Sequence, residues 1–295
     1  MQDSKNRHDD QEADDVVFID EASIEAVPPL PSAPGVMERL SLLENERRAA
    51  YSQMHRMVAD IGTLKSGRDR WIREREMLQS DAMYRLALLA EYRSGGNSAK
   101  VLRIGVMSAL IASALDCDED YCDRLQAAAP LHDVGEIGLP DSLFGALEFS
   151  EMERALMRSH CRLGNALLAE SLSPEIRMAA EIALTHHERF DGSGYPEHLA
   201  GKDIPLASRI VGVVDSFDAL TSNRPYRRAS TPAAAVDLIK AGSGTLFDPA
   251  VIEAFRQVSE ALLIVRWVLD EKNMRPEGMK WLGKPPEPGF WKRFM

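Results

Sequence analysis

Between Val101 and Val268, apolar positions recur at steps of three and four. Turns rich in Gly, Pro, Asp and Ser cut the pattern into segments. The periods predict helices at about 100–115, 119–132, 149–170, 174–187, 205–221, 231–241 and 248–270. No alternating run of useful length appears, so the pattern predicts an all-α fold, a helical bundle over about residues 93–270. A different repeat precedes it. Tyr51, Met54, Val58 and Ile61 step by three and four, as in two heptads of a helix seam. Ser66-Gly67 interrupts that seam, so a second helix is expected from about Arg68 through Trp71, Ile72, Leu86 and Leu89. Residues 36–92 then read either as a helical hairpin packed on the bundle or as a stalk through which two copies form a homodimer. The tail, residues 271–295, holds four Pro and two Trp without a period; it either docks by its aromatics or hangs free.

Charge changes the picture at the N-terminus. Residues 1–35 carry nine acids and two bases, which is −7 of the chain's net −11. So acidic and Pro-containing a leader buries too little apolar surface to offset its ordering, and it reads as disordered. Net acidity argues against a DNA-binding role. The most apolar run, ALLIVRWVL, is interrupted by Arg266, so membrane insertion is not expected. The three cysteines, Cys117, Cys122 and Cys161, fit reduced structural thiols in a cytoplasmic protein.

Candidate chemistry lies on the apolar faces of the bundle. His132 and Asp133 end the amphipathic stretch YCDRLQAAAPLHD. His160 follows Met152 and Leu156 by steps of four and precedes Leu163 by three, which aims it inward with that stripe. His186 follows Met178 and Ile182 in the same way, with His187 beside it, and Asp215 lies four after Val211. A single inward histidine is ordinarily a hydrogen-bonded core residue. Inward carboxylates are harder to explain without a cation, because burying an unpaired charge costs several kcal/mol. A His/Asp set gathered from several segments suits iron, manganese or zinc and points to a metal-dependent hydrolase.

The ordered stretches LHDVGEIGLPDSLF, RSHCRLGNALL, HHERFDGSGYP and GKDIPLASRIVGVVDSFDALTSNRPYRR resemble the HD-GYP family of metal-dependent cyclic di-GMP phosphodiesterases over roughly residues 85–258. The resemblance implies one divalent metal, iron or manganese by preference, held by Asp133, His160, His186 and His187. It implies a second held by His132, Asp133, Asp215 and a further histidine, with Asp133 as the bridge. Tyr195 would lie near the nucleotide, and Asp218, Arg224 and Arg227 would contact its guanine and phosphates.

Two motifs depart from the family pattern. Where the family carries acid-Thr-Gly-x-His, this chain reads GGNSAK, with Gly96 for the acid and Lys100 for the histidine. The loss of the acid argues against a third metal, and the loss of the histidine weakens the second site. In HDVGE, Glu136 replaces the family's lysine. Two outcomes are open. Glu136 becomes a ligand while Lys100 meets the substrate phosphate, which preserves a two-metal enzyme. Alternatively, the Lys100 ammonium takes the second metal's place, paired with Asp215 or Glu136. The expected function is hydrolysis of cyclic di-GMP to pGpG, and further to GMP in one version. The alternative is a catalytically impaired relative that binds cyclic di-GMP or a partner protein in signalling.

Overall fold

The computed structural model describes residues 33–144, 148–223, 228–270 and 285–295. The acidic leader before Ala33 lies outside them. By packing, the chain divides into Met1–Arg70 and Trp71–Met295. Every described element is helical, and strand-like pairing among the described residues is limited to a bridge between Ser243 and Phe247.

Helix α1 spans Ala33–Arg93. The break expected at Ser66-Gly67 is absent. A glycine inside a helix costs about 1 kcal/mol, which the Glu, Arg, Leu and Met on either side absorb. The Ser66 hydroxyl donates to the Gly62 carbonyl and so stays within the helical pattern. In the first unit the seam residues Tyr51, Met54, Val58 and Ile61 are all exposed.

In the second unit the end of α1 buries Met83, Tyr84, Ala87 and Ala90. Helix α2 (Ser98–Ala114) runs through the centre and is buried over almost all its length. Around it pack α3 (Glu119–Ala128), α7 (Leu206–Thr221), α9 (Pro249–Gln257) and α10 (Ser259–Val268). Helices α5 (His160–Leu168) and α6 (Pro174–Thr185) form a second packed pair, with α4 (Glu151–Arg158) before them and α8 (Pro232–Ala241) beside α7.

Local sequence sets the helix starts. Ser173-Pro174, Thr231-Pro232 and Asp248-Pro249 each put a side-chain oxygen on a first-turn N–H and a proline at the first helical residue. Ser150 and Glu153 close a reciprocal capping box on α4.

The segment expected as one helix over 149–170 is two, α4 and α5, parted at Ser159, whose hydroxyl bonds the Leu156 carbonyl at 2.6 Å. The segment expected at 248–270 is likewise parted at Val258. The described end of the tail docks. Phe290 and Trp291 are buried, the Trp291 indole N–H donates to Asp123, and the Trp291 backbone N–H donates to Gln126.

Candidate metal centre

A 3₁₀ turn, Ala129–Leu131, ends at His132, and a second, Val134–Gly138, follows Asp133. Gly135 sets where these residues lie. A Cβ there would stand 2.0 Å from the His160 carbonyl oxygen, so only glycine lets this turn rest on the start of α5. That contact brings Asp133 to His160, the first residue of α5. His186 and His187 come from the end of α6, and Asp215 from the middle of α7.

The imidazoles are oriented by their backbones. Nδ1 of His132 donates to the Ala129 carbonyl at 3.0 Å, Nδ1 of His160 to Met157 at 2.8 Å, and Nδ1 of His186 to Ile182 at 2.9 Å. A carbonyl only accepts, so each Nδ1 carries the proton. In its neutral form each ring then offers an Nε2 lone pair to the interior, as metal-ligating histidines do.

Nε2 of His160 and Nε2 of His186 face each other at 3.5 Å. Asp133 Oδ1 lies 3.4 Å from His186 Nε2 and 3.6 Å from His160 Nε2. Asp133, His160, His186 and His187 bring one ligand atom each within 4.8 Å of one another. Burial, reinforced by neighbouring imidazoles, lowers the pKa of His160 and lowers that of His187 well below the usual histidine range, so both rings are neutral at neutral pH and could serve as ligands. Lone pairs converging around one carboxylate oxygen fit a divalent ion with mixed nitrogen and oxygen ligands.

His132, Asp133 and Asp215 form a second group of the same tightness. His132 Nε2 is 2.9 Å from Asp133 Oδ2 and 3.6 Å from Asp215 Oδ1. It is buried, and neither contact is aligned as a hydrogen bond. Burial opposes a charge on this ring, but the two carboxylates outweigh it and push its pKa up to about 10.

Lys100 lies in this second group. Its Nζ is 3.3 Å from Asp133 Oδ2, 3.9 Å from Asp215 Oδ1 and 3.3 Å from Glu91 Oε2. Burial again works against the charge, and the surrounding carboxylates override it, keeping the ammonium protonated. The same burial raises Asp133 and Asp215, but His132 and Lys100 prevail and hold both carboxyls below the usual range.

The structure thus gathers His132, Asp133, His160, His186, His187, Asp215 and Lys100 in one cluster. Tyr195 borders it, with its ring centroid 4.8 Å from that of His187.

Glu136 takes a different place from the one expected. Burial and Asp133 push its carboxyl up to about 8, yet it joins neither ligand group and does not pair with Lys100. Asp218 also departs from expectation. It is 2% exposed, and Arg103 holds its Oδ1 at 2.5 Å and its Oδ2 at 3.1 Å. A carboxylate so enclosed braces α2 against α7 and has no face left for guanine. Arg224 and Arg227 lie outside the described residues.

Two residues were missed. Glu91 is a third partner of Lys100, beside Asp133 and Asp215, and its signal was its step: it follows Met83 and Ala87 by fours on the buried face of α1. Arg158 lays its guanidinium over the Tyr195 ring, 4.8 Å from the centroid, at the edge of the cluster.

Comparison with known proteins agrees with this geometry. The HD domain family model matches residues 81–251, and the chain belongs to the HD domain family. Its HD, HH and GYP motifs, in that order, place it in the HD-GYP group of that family. The chain is 42% identical over 212 residues to the cyclic di-GMP phosphodiesterase response regulator RpfG of Xanthomonas campestris, covering 72% of this chain and 53% of that protein. It is 39% identical over 206 residues to a cyclic di-GMP phosphodiesterase of Thermotoga maritima, covering 68% and 55%. The chain therefore spans about half the length of these relatives. A crystal structure of a cyclic GMP-AMP specific phosphodiesterase from V. cholerae shares the fold, with a TM-score of 0.52 at 21% identity over 70% of this chain and 54% of the other. Among the described residues no helix is long and apolar enough to cross a membrane.

Proposed function

We propose that the chain is a metal-dependent phosphodiesterase that opens cyclic di-GMP to linear pGpG. The observation that carries this reading is the convergence of the His160 and His186 Nε2 atoms, 3.5 Å apart, on Oδ1 of Asp133. Asp133, His160, His186 and His187 would hold the ion; their donors suit iron, manganese or zinc, and the family resemblance favours iron or manganese. When bound, it supplies Lewis acidity toward the phosphoryl group and lowers the pKa of a water. The chain's own residues do the rest. The three Nδ1–carbonyl bonds fix the imidazoles before any ligand arrives, so little reorganisation is needed at the reaction. The Arg158 guanidinium, held over the Tyr195 ring at the edge of the cluster, offers charge to a phosphate. The relatives named for cyclic di-GMP support the substrate assignment.

The second reading is a relative without turnover that binds the nucleotide as a signalling module; Lys100 inside the second group is the observation in its favour. Purified protein loaded with manganese and incubated with cyclic di-GMP separates the two. The enzyme releases pGpG, whereas the module binds nucleotide and leaves it intact. In His186→Ala both metal occupancy and turnover should be lost, and survival of either would refute the ligand assignment.

The proposal extends to the rest of the chain. The part of α1 in the first unit, up to Arg70, forms a stalk in which a second copy covers the exposed seam, the acidic segment before Ala33 is a separate leader, and the protein works in the cytoplasm without binding DNA. The support is the exposure of Tyr51, Met54, Val58 and Ile61 on one helix face, which a coiled-coil partner would bury.

A further inference from the structure

We propose that the second cation of the site is built into the chain: the Lys100 ammonium, caged by Glu91, Asp133 and Asp215, fills the place of a second metal, so that the protein carries one ion only. The inference rests on the metal reading above and fixes its stoichiometry.

An ammonium has three donors, and three carboxylate oxygens stand around this one, at 3.3, 3.3 and 3.9 Å. Two of those carboxylates, Asp133 and Asp215, are also members of the second ligand group. A divalent ion among the same oxygens would meet a cation already in contact with two of them. The oxygens of Asp133 are divided between the two positions. Oδ2 faces Lys100 and His132, while Oδ1 faces His160 and His186. The ammonium therefore compensates the second group through Oδ2 and leaves Oδ1 of Asp133 to the first.

Gly96 and Glu91 complete the cage. A Cβ at position 96 would stand 1.6 Å from Glu91 Oε1 and 2.4 Å from its Cδ. Any other residue there would force the carboxylate to shift from this position. The missing acid at 96 is thus the space that a carboxylate from α1 occupies. Asn97, the N-cap of α2, accepts the Lys100 backbone N–H at 3.1 Å and fixes the turn from which the lysine reaches in. Gly96, Lys100 and Glu91 act together, and the two departures at 96 and 100 are one device. Its chemistry differs from that of a metal: an ammonium gives charge and N–H donors to a phosphate but no Lewis acidity.

Metal content tests this directly. The full chain is loaded anaerobically with manganese, desalted, and assayed for metal and protein, with the paramagnetic resonance spectrum recorded on the same sample. Wild type should hold one equivalent with the spectrum of an isolated ion. Lys100→His should take up a second and show exchange coupling between the two. Two equivalents in wild type would overturn the inference while leaving the metal reading intact. One equivalent in a folded Lys100→His, checked by circular dichroism, would also overturn it. No metal in wild type would instead bring down the reading on which the inference rests. If the variant does not fold, the wild-type stoichiometry still decides.

Discussion

At the scale of single residues, the carboxylates show how position decides role. Asp133 and Asp218 are both partners of a cation, yet one opens on the imidazole cluster and the other is closed by Arg103. The Arg103–Asp218 pair is buried on both sides, and removing one partner of such a pair costs about 3–5 kcal/mol because the other charge is stranded. Asp218→Asn should therefore destabilise the protein by about that amount in urea unfolding near pH 7. Burial raises the Asp218 pKa, but Arg103 outweighs it and the net direction is down. With the folded value depressed, the stabilisation is present above the unfolded pKa of about 3.9 and is lost as pH falls through the folded value. The deficit of the variant should shrink in acid; a deficit independent of pH would count against the ion pair. The residues of the first ligand group were legible because buried histidines and carboxylates are costly without a purpose. Asp218 was misassigned by family position, since nothing in VVDSFDALT says that Arg103, on another helix, has already taken it. Glu91 was passed over because an acid near a helix end reads as solvated until its four-residue step from Met83 and Ala87 is noticed.

At the scale of elements, the periods located the helices and misjudged three boundaries, at Ser66-Gly67, Ser159 and Val258. His160 is buried as expected, but the stripe used to aim it is not: Met152 is 82% exposed and Leu156 41%. The break at Ser159 separates them from His160, so the histidine enters the interior by starting a new helix and not by sharing a face with α4. Ser159 and Ser66 are alike in sequence terms and differ in outcome, because the close approach of the Gly135 turn to the His160 carbonyl is tertiary and leaves no local mark. The tail was open between docking and hanging free, and its described end docks through Phe290 and Trp291. Asp123 accepts both the Trp291 indole N–H and the Gly289 N–H, and so ties this end to α3. Trp291→Ala should cost about 3–5 kcal/mol in thermal or chemical unfolding, as for other buried aromatic truncations. A change within the scatter of surface substitutions would show that the tail contributes no packing.

For the molecule as a whole, the all-α fold and the family were both readable, because the metal motifs stand at ordered intervals on separate helices. Oligomeric state was not, since an apolar stripe on a long helix is equally served by a hairpin or a second copy. Within the first unit the stripe is uncovered, which favours the second copy. Ile61→Glu would put a charge at the centre of that seam, and light scattering on the purified protein should then report a monomer where wild type is a dimer. A monomeric wild type would remove the stalk proposal without touching the site. The central claim is that Asp133, His160, His186 and His187 hold an ion that makes this chain a cyclic di-GMP phosphodiesterase. The most direct measurement is chromatography of cyclic di-GMP after incubation with manganese-loaded wild type, with chelated protein and His186→Ala alongside. The account predicts pGpG from the loaded wild type alone; metal-replete protein that leaves cyclic di-GMP intact would contradict it.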